Sequence, residues 1–131
     1  MTASREENRD STSRNLIAPA GFSRVAEGDF HARVAASSGV AIVLFSAPHC
    51  GACRAWKQLL PQALDGLAAA FLEVDVGEST GVARYFGIFH LPTVYLYRDG
   101  RFHAELQCEA RPEAIRQATQ RQLAGPAQDE P

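Results

Sequence analysis

An unbroken run of apolar residues spans 40–45 and predicts a strand that is covered on both faces, since such strands lack the polar alternation of half-exposed ones. A pattern of helical period follows, with apolar residues three or four positions apart. Pro61 is expected to kink this helix, because proline has no backbone N–H to donate. The positions expected to face the core are Trp56, Leu60, Ala63, Leu64 and Leu67.

The remaining sequence also switches between strand and helix patterns and predicts an α/β fold. In order, it gives a short helix over 28–36 with Asp29 as N-cap, a strand over 71–76, a helix from Ser79 or Thr80 to Gly87, a hairpin of strands 94–97 and 102–108, and a helix from Pro112 to about 123. We therefore expect a central mixed sheet of four to five strands, made of a parallel pair plus a C-terminal antiparallel hairpin and flanked by helices on both faces.

Large apolar residues concentrate between two polar ends, which indicates one domain. The chain has 131 residues, 46% of them hydrophobic, and this is enough for a single core. Residues 1–22 hold few large apolar side chains to offset the entropy of ordering, so they are expected to form a disordered leader. Residues 23–124 form the predicted domain, and residues 125–131 are expected to be a flexible tail.

The charge balance argues against a general affinity for nucleic acid or for membranes. The formal net charge is -2, which gives no broad attraction to polyanions. No apolar run approaches a membrane span, and the patch at 16–20 is too short and too proline-broken for a signal peptide. We therefore expect a cytoplasmic protein. There, a few cysteines are more typical of catalysis or metal binding than of structural disulfides.

Two of the three cysteines, Cys50 and Cys53, stand between the buried strand and the helix. Cysteines three positions apart share one face of a helical turn and can form a small disulfide ring. The first of them lies among unpaired N–H groups at the positive end of the helix dipole, which favours its thiolate. The spacing predicts dithiol/disulfide chemistry.

The C-x-x-C motif and the sequence after it resemble the thioredoxin family. The similarity covers about residues 25–123. In it, Leu91-Pro92-Thr93 is similar to the family's cis-proline segment and Asp99-Gly100 to its β-turn. The resemblance implies a thioredoxin-like fold in which Cys50 is the attacking nucleophile and Cys53 the resolving thiol. It also implies a cis Pro92, with the Leu91 backbone pairing to an extended substrate.

Four positions depart from the family's usual residues. His49 replaces the tryptophan before the first cysteine, and Ala52 replaces the proline between the two cysteines. Leu44 stands where the family has a buried aspartate, and Glu73 stands where it has the lysine partner of that aspartate. A histidinium at 49 would favour the thiolate, so we expect the Cys50–Cys53 couple to be less reducing than that of a typical thioredoxin. The alternative is that His49 is only a surface histidine without a role.

Glu73 has two interpretations. A carboxylate between Leu72 and Val74 can belong to a strand end and reach water. Alternatively, Glu73 replaces the missing acid and carries a proton to or from Cys53 during resolution, with a pKa raised by burial.

Cys108 also has two interpretations. It alternates in phase with Phe102, Ala104 and Leu106, which is typical of a small core residue. The resemblance instead places it on the rim of the substrate groove near Pro92, as a third redox thiol or a site for glutathione capping. There it could also give a redox-dependent dimer. A zinc site formed by His49, His90 and Cys108 is a weaker alternative, because the paired spacing of a zinc finger is absent.

The sequence predicts a thiol–disulfide oxidoreductase that needs no organic cofactor and no metal. Its expected partners are disulfide-containing proteins and a reductase or low-molecular-weight thiol as electron donor, and the chain is expected to act as a monomer. The alternatives are a binding module or assembly chaperone with little redox activity, and a zinc or cluster carrier. The catalytic residues would be Cys50, Cys53 and Glu73, and the residues binding substrate would be His49, Gly51, Ala52, His90, Leu91, Pro92 and Cys108.

Overall fold

A computed structural model describes residues 21–131 of the chain. Over these residues the helices are α1 (Phe30–Ala36), α2 (Gly51–Ala63), α3 (Thr80–Phe86) and α4 (Pro112–Ala124). The strands are β1 (Ser23–Arg24), β2 (Val40–Ser46), β3 (Ala70–Asp75), β4 (Thr93–Arg98) and β5 (Arg101–Glu105). No helix in this part of the chain is long and apolar enough to cross a bilayer.

The five strands form one mixed sheet in the order β1-β3-β2-β4-β5. At its centre, β2 runs parallel to β3 and antiparallel to β4, while β4 and β5 form the hairpin. The expected mixed sheet with a parallel pair and a C-terminal hairpin is therefore confirmed. The sequence pattern missed β1, which pairs in parallel with β3. Its two residues are both exposed, so no hydrophobic alternation marks them.

A hydrophobic core lies on each face of the sheet, which explains the unbroken apolar run in β2. Successive side chains of a strand point to opposite faces. Phe45 accordingly packs beneath α1 and α3, and Leu44 packs beneath α2 and α4. The first core includes Val25, Phe30, Val34, Val43, Phe45, Leu72, Val74, Val82, Phe86, Tyr95 and Tyr97. The second includes Ile42, Leu44, Leu60, Leu64, Phe71, Val94, Leu96, Leu106 and Ile115.

The turn between β4 and β5 depends on Asp99 and Gly100. Both have positive φ, 51° and 84°, as a tight hairpin turn requires. A Cβ at Gly100 would lie 2.7 Å from the Ala35 carbonyl oxygen, so this position excludes side chains sterically as well.

A β-bulge in the same hairpin changes which side chains of β5 face which core, so the predicted alternation along this strand is wrong at one point. Tyr97 pairs with Phe102, but the preceding Leu96 pairs with Ala104, so one extra residue is inserted. Phe102 therefore packs on the core under α1, whereas Ala104 belongs to the core under α2. The expected alternation from Phe102 to Cys108 is broken at its start. The strand also ends at Glu105, three residues before the predicted end.

Both ends of the described segment pack more closely than the sequence indicates. Residues 1–20, most of the expected leader, lie outside the described residues. The ring of Phe22 packs edge-on against Phe71, with centroids 5.3 Å apart, so the packed domain includes a residue that the prediction assigned to the leader. At the other end, the backbone N–H of Gln128 donates to the His103 carbonyl at 2.7 Å. Within residues 125–131, predicted as a flexible tail, Gln128 is thus bonded to the outer edge of β5.

Candidate active site

The redox motif is formed where β2 ends and α2 begins. Cys50 is the N-cap of α2, and its sulfur accepts a hydrogen bond from the Cys53 backbone N–H at 3.1 Å. The two cysteines are joined as a disulfide with Cα atoms 5.2 Å apart. Cys50 is half-buried, whereas Cys53 is only 3% exposed. The outer sulfur is therefore the one that a substrate can approach.

The position of Cys50 favours its ionised form once the disulfide is reduced. The first N–H groups of a helix have no partner within the helix, and together they carry a partial positive charge. The N–H of Cys53 already points at the Cys50 sulfur. Cysteines in such positions have pKa values well below that of a free thiol. The predicted roles, attack by Cys50 and resolution by Cys53, agree with this geometry.

The strand pairing brings three loops to one end of the sheet, where the disulfide lies. In the register, Ser46 pairs with Asp75, and Phe45 pairs with Thr93. The segments 47–50, 76–79 and 87–92 therefore all extend from the end of the sheet at which β2 and β3 finish and β4 begins. The sequence candidates His49, Gly51, Ala52, His90, Leu91 and Pro92 belong to or directly follow these segments, and all but the half-buried Leu91 and Pro92 are exposed.

The loop before β4 has a defined shape. The Leu91–Pro92 peptide bond is cis. The Thr93 hydroxyl donates to the His90 carbonyl at 2.7 Å, which fixes the backbone on both sides of the proline. One aromatic residue in this loop was missed by the sequence analysis: Phe89 is 95% exposed. The only sequence signal for an exposed Phe89 was its position in the loop, two residues after Gly87, at which the helix was predicted to end.

Glu73 is buried, and both of its carboxylate oxygens have partners. Its side chain is 8% exposed, and its Oε1 lies 2.9 Å from Lys57 Nζ and 3.6 Å from Arg24 Nε. The other oxygen, Oε2, accepts a hydrogen bond from the Ser46 hydroxyl at 2.8 Å. The interpretation of Glu73 as a strand-end residue that reaches water is therefore wrong.

The expected rise in the pKa of Glu73 is also wrong. Burial does raise the pKa of this carboxyl, but the hydrogen bonds from Lys57 and Ser46 and the charge of Arg24 outweigh it, and the net pKa is lowered. Glu73 is therefore ionised at neutral pH. A carboxylate in this state forms a strong anchor for a cation and a weak acceptor for a proton.

Glu73 and Cys53 line the same cleft of about 190 Å³, between β1, β3 and the start of α2. Lys57 and Arg24 line it too, and the sequence analysis assigned neither of them a role. The available signal for Lys57 was its spacing, because residues four apart on a helix share a face and Lys57 follows Cys53 by four. Arg24 gave no such signal, since it belongs to the short strand β1.

Cys108 is half-buried and packs against the core under α2 and α4. Burial raises the pKa of its thiol, Glu109 adds to the rise, and Arg121 and Arg111 oppose it. A raised pKa makes the thiolate scarce near neutral pH, so these contacts favour the core interpretation. Among residues 21–131, no group of three or more His, Cys, Asp or Glu side chains is arranged to hold a metal ion.

The sequence of this chain matches the family model of thioredoxin over residues 22–121. That segment is well over half of the chain and contains the disulfide, the cis-proline loop and all five strands. The chain belongs to the thioredoxin family.

Several thioredoxins are similar in sequence. The thioredoxin of Chlamydia muridarum is 34% identical over 70 residues, which cover 50% of this chain and 65% of that protein. Mitochondrial thioredoxin-2 of Schizosaccharomyces pombe is 32% identical over 75 residues, 56% of each chain. The thioredoxin of Staphylococcus aureus strain N315 is 31% identical over 84 residues, 60% of this chain and 75% of that one. The chain thus spans less than two thirds of the first two of these relatives.

A solved structure shares the thioredoxin-like fold. The zinc-bound form of human ERp44 superposes with a TM-score of 0.65 at 18% sequence identity, covering 76% of this chain and 31% of that one. This likeness confirms the predicted fold.

Proposed function

We propose that this protein is a thiol–disulfide oxidoreductase that reduces or exchanges disulfides in other proteins. The observation that carries the proposal is the Cys50–Cys53 disulfide at the N-terminus of α2, with its half-buried sulfur at the end of the sheet from which the Leu91–Pro92 loop also extends. Membership of the thioredoxin family supports it.

The reaction starts from the reduced protein. The Cys50 thiolate attacks one sulfur of a substrate disulfide, a Cys50–substrate disulfide forms, and the other substrate sulfur leaves as a thiolate that takes up a proton. Cys53 then loses its proton and attacks Cys50. The Cys50–Cys53 disulfide forms, the second substrate sulfur leaves, and two electrons have passed to the substrate.

The substrate would bind at the end of the sheet where the disulfide lies. His49, Gly51 and Ala52 would contact it on the side of the attacking sulfur, and His90, Leu91 and Pro92 would contact it from the loop before β4. An extended substrate segment would pair with the Leu91 backbone. Glu73 belongs to the catalytic site as an ionised group in the Cys53 cleft.

The proposal extends to partners and location. Substrates would be proteins with accessible disulfides, and a reductase or a low-molecular-weight thiol would return the electrons, with no organic cofactor or metal required. The chain would work as a monomer in the cytoplasm, without nucleic acid or membrane. A cytoplasmic setting favours reduction of substrates over their oxidation.

The reduction potential of the Cys50–Cys53 couple tests the proposal. Glutathione or dithiothreitol buffers set the potential, and fluorescence of Trp56, the only tryptophan, reports the redox state. A value near roughly -270 mV would support a general reductase, and a value between roughly -180 and -120 mV would support an oxidant or isomerase. Absence of a reversible two-electron titration would overturn the proposal.

A thioredoxin-fold binding module is the second candidate, and the fully exposed Phe89 beside the cis-proline loop favours it. A module would hold a client protein without exchanging disulfides. Substituting Cys50→Ser separates the two functions. Client binding that survives this substitution unchanged indicates a module, whereas its loss indicates capture through a mixed disulfide.

A further inference from the structure

Lys57, the only lysine of the chain, lies in the cleft of the resolving cysteine. It follows Cys53 by one helical turn on α2, and side chains four residues apart have Cβ atoms about 5–6 Å from each other. Cys53 is 3% exposed, so its sulfur has few water contacts to stabilise a negative charge. A cation in this position would therefore influence the ionisation of Cys53 strongly.

Glu73 fixes the position of that cation. The 2.9 Å contact from Lys57 Nζ to Glu73 Oε1 reaches from α2 across to β3. Glu73 is itself held by Ser46 on β2 and by Arg24 on β1. A long lysine side chain, which would otherwise sample many rotamers, is thus directed into the cleft by a carboxylate with three partners.

We propose that Lys57 is a positioning residue for the resolving step, whose ammonium group, anchored by Glu73, stabilises the thiolate of Cys53 when that cysteine attacks the mixed disulfide. The inference rests on the proposed exchange function and specifies how its second step is promoted. Here the ionised acid holds a cation instead of accepting a proton.

Both carboxylate oxygens of Glu73 already have partners, which supports a role in holding Lys57 and argues against a role in accepting the proton of Cys53. A proton arriving at Oε1 would displace Lys57, and one arriving at Oε2 would displace the Ser46 hydroxyl. The proton from Cys53 instead leaves to water, since the cleft opens beside the side chains of Lys57 and Arg24, which are 42% and 46% exposed.

The other charged groups of the cleft have partners of their own. Asp75 on β3 accepts hydrogen bonds from the backbone N–H groups of Gly77 and Glu78. Arg24 lies 3.0 Å from Glu78 and 3.8 Å from Asp75. Arg54 on α2 donates to the Pro48 carbonyl at 3.3 Å. Lys57 is therefore the cation that shares both the helix face and the cleft with Cys53.

The test follows the two chemical steps separately in the full chain carrying Cys108→Ser. The reduced protein is mixed in stopped flow with an aromatic disulfide that releases a coloured thiolate on attack by Cys50 and a second on resolution by Cys53. Lys57→Met should leave the first phase within about twofold of its original rate and slow the second about five- to tenfold near neutral pH. The pH midpoint of the second phase should move upward. Lys57→Arg, which keeps the charge, should restore the second phase.

Two control variants make the result specific. Arg54→Met removes a neighbouring cation and should leave the second phase within about twofold; an equal slowing would assign the effect to the general positive potential of the helix start and overturn the inference. Glu73→Gln removes the ionic anchor of Lys57, so it should slow the second phase by no more than Lys57→Met does. Adding Glu73→Gln to Lys57→Met should then slow the second phase no further. A further slowing in the double variant would make Glu73 the proton carrier and also overturn the inference.

The outcomes separate the inference from the function on which it rests. An unchanged second phase in Lys57→Met overturns the role of Lys57 alone. If the unsubstituted protein forms no Cys50–Cys53 disulfide after the first phase, the proposed function fails, and the inference fails with it. Circular dichroism of each variant shows whether a slow phase reflects loss of fold.

Discussion

Leu44 on β2 and Glu73 on β3 are direct partners in the parallel register of the sheet. Both are buried, on the face that α2 covers. An apolar side chain and a carboxylate thus lie side by side on adjacent strands, about 4.8 Å apart. The cation that pairs with this buried carboxylate is Lys57 on the helix.

The buried, ionised Glu73 makes the stability of the fold sensitive to pH in the acid range. Because the pKa of Glu73 is lowered in the folded protein, the stabilisation from its ionised form is fully present above its unfolded value, near 4.5, and is lost as the pH falls through the folded value. Glu73→Gln should lower the free energy of unfolding by about 1–3 kcal/mol at pH 7. This difference in unfolding free energy from the unsubstituted protein should shrink below pH 4. Urea unfolding at pH 7 and at pH 3.5 measures it.

Glu78→Gln is the matched control for this prediction. Glu78 also contacts Arg24, but its side chain is 66% exposed, so its substitution should change stability by less than about 0.5 kcal/mol at either pH. A difference for Glu73→Gln that stays constant between pH 7 and pH 3.5 would contradict the ionised state of Glu73.

His49 directly precedes the attacking cysteine and is exposed. A charged imidazole beside Cys50 stabilises the reduced form, which raises the reduction potential. His49→Ala should make the couple more reducing by about 10–30 mV. Equilibration with glutathione buffers measures the change. An equal change in His90→Ala would show that proximity to Cys50 is not the cause.

The parts of the molecule that the sequence predicted are those set by local pattern. The run at 40–45 predicted a doubly covered strand, and the helical pattern that follows it placed Cys50 and Cys53 at the head of a helix. The bulge opposite Leu96 could not be predicted, because it arises from how β4 and β5 pair and leaves no mark on either strand alone.

The charged cluster at the site could be predicted only in part. Glu73 stood out as a carboxylate in an apolar strand, but its ionisation is decided by Lys57 and Arg24, which come from two other elements. A lone lysine on a helix and an arginine in a two-residue strand look like ordinary surface residues in sequence. Their role follows only from the contacts that the fold brings together.

Phe89 should contribute to substrate recognition. An aromatic side chain with 95% exposure contributes little to packing, so Phe89→Ser should change the free energy of unfolding by less than about 0.5 kcal/mol. For a protein disulfide, it should raise KM about three- to tenfold with little change in kcat. Phe89→Leu should retain most of the affinity. Oxidised glutathione, a much smaller substrate than a protein, is the control, and an equal rise in its KM would contradict a role in polypeptide binding.

The last residues of the chain protect the outer edge of β5. The Glu105 backbone N–H donates to the Gln128 side-chain oxygen at 3.1 Å, and the Gln128 backbone N–H donates to the His103 carbonyl at 2.7 Å. An uncovered edge strand presents unpaired groups that can pair with another chain. A chain that stops at Gly125 should lose about 1–2 kcal/mol of unfolding free energy and self-associate at high concentration.

Hydrogen exchange distinguishes this edge protection from a general loss of stability. Gln128→Ala removes the acceptor for the Glu105 N–H but keeps the backbone bond to His103. Exchange at Glu105 should therefore accelerate in this variant, while amides of β2 at the sheet centre keep their protection. In the shortened chain, Glu105 should exchange faster still. Equal protection of Glu105 in all three proteins would show that the last residues do not cover the edge in solution.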